Sequence, residues 1–201
     1  MKIAASELTQ NLIEEIRTTL GKAEHLNNLS DDALNERPHA ESWTVLECIE
    51  HLNRYSEFYL EEIEKRIDAK MDSNKNSGKQ NIEDYTFKSG FLGNYSANSM
   101  LPNQTGKKAG QINKMTTFKD KDPIHSGVNR KVLNTFIDDQ NEFIRLLEKS
   151  RNINLNKTKA SLTIPILKFN LGDTFRFVIN HQIRHFLQIE NILKNTKELV
   201  A

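Results

Sequence analysis

Apolar positions along the chain predict four long amphipathic helices. They cover about residues 6–27, 44–70, 129–150 and 171–195, and in each of them apolar side chains recur at intervals of three or four residues. This spacing places the apolar side chains on one face of a helix. Because the sequence shows no convincing pair of strands, it predicts an all-α fold, a four-helix bundle with long connections between the helices.

The residues before the second helix indicate directly where it begins. Thr44 is followed three residues later by Glu47, which predicts a capping box, and Trp43 can pack onto Cys48 just inside the first turn. In the connection before this helix, Ser30 can cap a single helical turn that ends at Pro38. The sequence therefore marks where the second helix begins.

Residues 72–128 are rich in Asn, Ser, Gly and Lys and show little periodicity. More than about fifty unstructured residues would be unusual inside a compact domain. We therefore expect a short helix at residues 91–100 that is ordered against the bundle. The remainder is expected to run over one end of the bundle or to form a dimer contact. Between the third and fourth helices, residues 161–165 are expected to be extended.

Composition limits the classes of function. A length of 201 residues suits a single domain spanning residues 1–201, and a formal net charge of +1 gives no large field for a nucleic acid or an anionic membrane. No run approaches the roughly 20 apolar residues of a membrane-spanning helix, and the N-terminus does not read as a signal peptide. A single cysteine, Cys48, excludes an internal disulfide and any multi-cysteine metal site. A cytoplasmic location is expected.

Three histidines are the candidate metal ligands. His181 and His185 are four residues apart, so their rings project from the same, otherwise apolar, helix face. His51 occupies a similar position on the second helix. Three imidazoles suit a first-row divalent ion and leave a position open, as in catalytic sites. The same pattern also fits core histidines with satisfied hydrogen bonds. The remaining histidines are interpreted as surface residues: His25, His39 and His125.

Neighbouring polar residues leave alternatives open. Glu47 lies one turn before His51 and can accept a hydrogen bond from its ring, or serve only in the capping box. Gln188 can hydrogen-bond a ligand histidine, or merely close the end of a polar pocket. Cys48 is interpreted as a small buried thiol rather than a fourth ligand or a nucleophile.

Three larger side chains near the histidines are interpreted in structural terms. Arg184 is expected to be a solvated residue, although it can also anchor an anionic substrate. Tyr55 and Tyr59 are expected in the core, with the lining of a pocket as the alternative. None of these residues is identified as a general base.

Two segments resemble motifs of the DinB-like superfamily. SWTVLECIEHL, at residues 42–52, resembles its first metal-histidine motif and follows LSDDALNERP, which is similar to its usual lead-in. LGDTFRFVINHQIRHFLQIENIL, at residues 171–193, resembles its C-terminal motif, in which two histidines four residues apart precede a Gln-Ile pair. The similarity extends across most of the chain and includes KSGFLGNYSANSM.

The resemblance implies a four-helix bundle in which His51, His181 and His185 hold one divalent ion, zinc or nickel. Known activities in this superfamily centre on metal-dependent transfer of low-molecular-weight thiols, as in bacillithiol transferases and mycothiol-dependent maleylpyruvate isomerase. The resemblance therefore implies a transferase, in which the ion stabilises a thiolate or polarises a small electrophilic substrate.

Two alternatives remain at this point. One is a metal-dependent hydrolase that uses the same three histidines. The other is a non-catalytic bundle that binds a metal or a small ligand and works through association, with a homodimer left open.

Overall fold

A computed structural model of the chain describes residues 1–77, 84–103, 111 and 115–194. The four long helices are α1 (Ala5–Leu26), α3 (Val45–Asn76), α5 (Lys131–Ser150) and α6 (Leu171–Lys194). Two shorter helices are α2 (Asp31–Asn35) and α4 (Phe91–Ser99). The strands are β1 (Lys2–Ala4), β2 (Thr86–Lys88), β3 (Lys159–Ser161) and β4 (Lys168–Asn170). The all-α class that the sequence predicts is confirmed.

The two small sheets were not predicted by the pattern. Strand β1 pairs with β2, and β3 pairs with β4, both in antiparallel register. Each strand has three residues, which is too short for an alternation of apolar and polar positions to be recognised. Of the predicted extended stretch at residues 161–165, only Ser161 belongs to a strand.

The caps predicted for two helices are present. The Thr44 hydroxyl accepts a hydrogen bond from the Glu47 backbone N–H at 3.1 Å, and the Glu47 carboxylate accepts one from the Thr44 N–H at 2.9 Å. The Ser30 hydroxyl caps α2 through the Ala33 N–H at 3.2 Å. Two boundaries differ from prediction, because α2 ends before Pro38 is reached and α3 continues past residue 70 to Asn76.

The direction of the long helices explains the length of one connection. Helix α1 packs against α5 and α6, and α3 packs against the same two helices. Two apolar clusters fill the interior, and the order in which each helix contributes to them shows that α3 and α5 run in one direction and α1 and α6 in the other. Since α3 and α5 are parallel, the chain must return along the bundle between them.

The described parts of the returning segment lie along the side of the bundle, and this corrects the prediction that the segment covers one end. Strand β2 lies beside the start of α1, where it pairs with β1. Helix α4 then packs on α6, as expected for a helix near residues 91–100 that is ordered against the bundle. Residues 119–125 finally reach the start of α3, where the His125 N–H donates to Glu47.

Buried polar contacts fix α4 on α6. The Asp173 carboxylate accepts hydrogen bonds from the Ser89 hydroxyl, from the Gly90 N–H at 2.7 Å and from Arg176 at 3.0 Å. A Cβ atom at Gly93 would lie 2.5 Å from an Asp173 carboxylate oxygen, so only glycine permits this approach. The attachment places the end of α4 over the middle of α6, where the Asn180 side chain donates to the Ala97 carbonyl oxygen at 2.8 Å.

A buried polar layer separates the two apolar clusters. Each long helix contributes buried polar residues at the boundary, among them Thr19, Ser56, Gln140 and Gln182. Ser56 also donates a hydrogen bond to the Asp139 carboxylate. Burial and the nearby Asp138, Glu57 and Glu142 raise the pKa of Asp139 to about 6. The carboxylate form of Asp139 is therefore disfavoured in the folded chain.

Replacing Asp139 by asparagine is expected to stabilise the chain at pH 7.5 and to have little effect at pH 4. The pKa of Asp139 is higher in the folded chain than in the unfolded chain, so the protonated carboxyl favours the folded state. This stabilisation is complete below the unfolded pKa and is lost as the pH rises through about 6. A shift of about two units corresponds to about 3 kcal/mol, which partial exposure reduces to about 1 kcal/mol. Urea unfolding of wild-type and D139N protein at both pH values measures the difference. The exposed Asp72, which is not among the charges that act on Asp139, gives the control, D72N. Equal effects of D139N at both pH values would contradict the expectation.

Candidate metal centre

Helix α3 presents His51 from its second turn, with the ring held by a backbone carbonyl. The Nδ1 atom of His51 lies 2.7 Å from the carbonyl oxygen of Lys121. Because a carbonyl oxygen only accepts, Nδ1 carries the proton and the lone pair of Nε2 faces the other histidines. The loop at residues 119–125 therefore sets the tautomer of this side chain.

Helix α6 presents His185 in the same way, although its partner is a side chain. The Nδ1 atom of His185 lies 3.0 Å from the Oε1 atom of Gln188, so the ring donates to the amide oxygen and the Nε2 lone pair is free to bind an ion. Gln188 was expected either to hydrogen-bond a ligand histidine or to close the end of a polar pocket. The structure shows the hydrogen bond to a candidate ligand, His185.

The three Nε2 atoms converge on one point. His181 Nε2 lies 3.3 Å from His51 Nε2 and 3.0 Å from His185 Nε2. The Nε2 atoms of His51 and His185 both present lone pairs to His181. A single N–H on His181 can donate to only one of them, so the other Nε2 atom has no hydrogen-bond donor. Zinc–nitrogen bonds of about 2.0–2.1 Å place tetrahedral ligands about 3.3 Å apart. A divalent ion therefore fits the three histidines, and they are the group of donors within 4.8 Å of one another in the described chain.

Burial keeps these imidazoles neutral. It lowers the pKa of His51 to about 4, and it holds the pKa values of His181 and His185 well below their ordinary range. The neighbouring rings and Arg184 lower the last two pKa values further. Because a neutral imidazole is the form that binds a metal, the site is ready for an ion at neutral pH.

Aromatic rings surround the three histidines. The centroid of the Trp43 ring lies 4.6 Å from that of His51 and 5.8 Å from that of His185. Tyr55 lies 5.0 Å from both His51 and His181. From the sequence, Trp43 was expected only to pack onto the first turn of the second helix. Its ring also lies beside the histidines, and the Asp122 carboxylate accepts a hydrogen bond from its indole N–H at 3.0 Å.

Glu47 supports the site without touching a histidine. Its carboxylate is almost fully buried and accepts hydrogen bonds from Arg37 at 2.7 Å and from the His125 N–H at 2.7 Å, in addition to its capping bond. Of the two predicted roles, the capping box is confirmed, whereas Lys121 takes the place proposed for Glu47 as acceptor for His51. Glu47 instead holds the loop that carries this carbonyl.

Cys48 lies in the apolar core, where burial raises the pKa of its thiol far above the ordinary value. It is not among the converging donors, as expected for a buried core thiol. His25, His39 and His125 are exposed, also as expected.

An open cleft of about 810 Å³ leads to the histidines. Tyr55 and Tyr59 line it, so both aromatic residues belong to a pocket as well as to the helix packing. Arg184 also lines it and is only 6% exposed, which corrects the expectation of a solvated residue. Further lining comes from the connections, at residues 41–43, 115–118 and 162–164, and from Tyr95, Ser96, Ser99 and Met100. Sequence periodicity gave no signal for these residues.

The fold and the site together define a class of protein. It is a helical bundle in which three neutral histidines converge at an open cleft. The chain belongs to the DinB superfamily, whose model matches residues 17–189 and so covers all three histidines. This confirms the family that the two end motifs predict. Neither the comparison with curated proteins nor that with solved structures gave a match. In the described part of the chain, no helix combines the length and apolar character needed to cross a bilayer.

Proposed function

We propose that the chain is a metal-dependent enzyme that transfers a low-molecular-weight thiol to a small electrophilic substrate. The observation that carries the proposal is the convergence of three histidine Nε2 atoms, 3.0 and 3.3 Å apart, beside an open cleft of about 810 Å³. An ion held by three neutral ligands supplies a Lewis acid with undiminished positive charge, which favours the thiolate form of a thiol.

The openness of the site supports an enzyme over a purely structural metal site. Structural zinc is held by a closed set of four protein ligands, whereas only three donors converge in the described chain. The cleft beside them is of the size that accepts a small molecule. Lys121 and Gln188 hold the rings of His51 and His185, so the donors are oriented before a substrate arrives.

The lining of the cleft supports thiol transfer over hydrolysis. Among the described lining residues the only carboxylate is that of Glu41, which is an exposed residue. Apart from Glu41, no described lining residue thus offers a carboxylate to take a proton from water. A thiol needs less help, because its ordinary pKa of about 8.5 already leaves a few per cent as thiolate at pH 7.

Cobalt substitution tests the proposal. Adding cysteine or glutathione to cobalt-loaded protein is expected to produce a new sulfur-to-metal absorption band. Consumption of the thiol by 1-chloro-2,4-dinitrobenzene, in which a C–S bond forms and chloride leaves, is expected to require metal and to be at least about tenfold faster than without it.

H39A, which changes an exposed histidine, is the control, and it should behave as the wild type. Absence of a sulfur band at saturating thiol would rule out thiol transfer. Metal-dependent hydrolysis of 4-nitrophenyl acetate that is insensitive to thiol would then favour the hydrolase.

A further inference from the structure

Arg184 brings a buried positive charge to the candidate metal centre. It lies three residues after His181 on α6, which puts the two side chains on neighbouring positions of one helix face. The arginine lines the cleft, and only 6% of the residue is exposed. The three histidines line the same cleft as Arg184. A small molecule bound there can therefore meet both the guanidinium and an ion on the histidines.

The charge balance of the cleft favours an anion. Arg184 is the one lysine or arginine among the described lining residues, and the one acidic lining residue, Glu41, is exposed. Lys121, a cation outside this lining, lies 5.7 Å from the centroid of the Tyr55 ring, and its Nζ atom donates to the Arg54 carbonyl oxygen at 2.7 Å. The positive charge of Arg184 and that of an ion on the histidines would act together on a negatively charged group.

The rest of the cleft is suited to an apolar body. Tyr95, Met115, Phe118 and Ile164 line it, and each is between 43% and 70% exposed. When an apolar group covers large apolar side chains that are exposed in this way, the free energy is lowered. Phe177 also lines the cleft, and its ring centroid lies 6.4 Å from that of His181. Apolar side chains thus line the cleft as far as the histidines.

We propose that Arg184 binds the carboxylate of a small molecule whose apolar or aromatic part lies along the cleft. A guanidinium matches a carboxylate in geometry and forms two parallel, charge-assisted hydrogen bonds with it. The proposal deepens the proposed function, on which it rests, by naming the chemical class of its substrate. Two sources of the carboxylate share this chemistry, namely the electrophile and the thiol.

The fluorescence of Trp43 provides the test, because Trp43 is the only tryptophan of the chain and its ring lies 4.6 Å from that of His51. We would titrate metal-free and zinc-loaded protein with 3-phenylpropionate and with its neutral amide. Wild-type protein is expected to bind the carboxylate at least about tenfold more tightly, the effect of a charge-assisted pair of hydrogen bonds. In R184Q this preference should disappear while amide binding persists.

Two further variants separate charge from folding. R184K keeps a positive charge and should retain a carboxylate preference of at least about threefold, because an ammonium pairs less well with a carboxylate than a guanidinium does. R17Q, which changes an exposed arginine of α1, should match the wild type. The proposal is overturned if R184Q prefers the carboxylate to the amide as strongly as the wild type does, or if R184K has no such preference. It is also overturned if the preference requires zinc and persists in R184Q, because the carboxylate then binds the ion and not Arg184.

A second pair of probes identifies the source of the carboxylate. Zinc-loaded protein is titrated with 3-mercaptopropionate and with 2-mercaptoethanol. A preference for phenylpropionate that R184Q removes assigns the carboxylate to the electrophile. A preference confined to the mercaptan pair, and removed by R184Q, assigns it to the thiol. Failure of thiol transfer in the cobalt experiment would leave the phenylpropionate result standing, so the two proposals fail separately.

Discussion

Wild-type protein purified without chelator is expected to carry close to one divalent ion per chain, and His181→Ala is expected to lower the affinity for that ion by more than about 100-fold. His181 Nε2 is the atom that lies within 3.3 Å of both other candidate ligands. Its removal leaves two nitrogens, which are too few for a stable open site. Loss of a hydrogen bond to a metal ligand already costs about 10–100-fold in affinity, so loss of a ligand costs more.

Metal analysis and titration with zinc or nickel measure this effect. H51A should behave as H181A does, whereas H39A, which removes an exposed histidine, should bind as the wild type does. Zinc should also raise the unfolding temperature of the wild type and not that of H181A, because an ion that binds only the folded chain stabilises it. Wild-type protein that stays metal-free after exposure to zinc and nickel would remove the basis of the proposed function.

The helices and the three histidines were predictable because their signals are local. The four-residue interval between His181 and His185 is enough to place both rings on one face, and the interval between Thr44 and Glu47 is enough to predict the cap. His51 was added because it shares an apolar helix face. Once the bundle forms, these faces meet, and the three histidines lie together without any further information from the connections.

What the sequence did not reveal depends on contacts between distant segments. The acceptor for His51 is a backbone carbonyl, at Lys121, and a carbonyl is present at every residue, so nothing in the sequence marks it. Arg184 lies beside an apolar stripe, where solvent is the ordinary expectation. In the folded chain it is nevertheless buried, and it lines the cleft. The parallel direction of α3 and α5 has no local signal either.

Glu47→Gln is expected to destabilise the chain by about 3 kcal/mol at pH 7, the cost of removing one charge from a buried ion pair. Its carboxylate is 3% exposed and has donors from Arg37, Thr44 and His125. Burial on its own would raise the pKa of Glu47, but these donors outweigh it and the pKa is lowered. A lowered folded pKa means that the stabilisation is present above the unfolded pKa of about 4.3 and is lost as the pH falls through the folded value.

The pH dependence and the metal affinity together distinguish this role from simple packing. In urea unfolding, the penalty of E47Q should be largest near neutral pH and should shrink below about pH 4. Glu50 offers the matched control, because its carboxylate pairs with Arg54 at 2.9 Å on the more exposed side of α3, and E50Q should cost about 0.5 kcal/mol or less. Because Glu47 holds the loop that presents the Lys121 carbonyl to His51, E47Q should also weaken zinc binding by about 10–100-fold. A variant that unfolds as the wild type does and binds zinc equally well would show that Glu47 serves neither purpose.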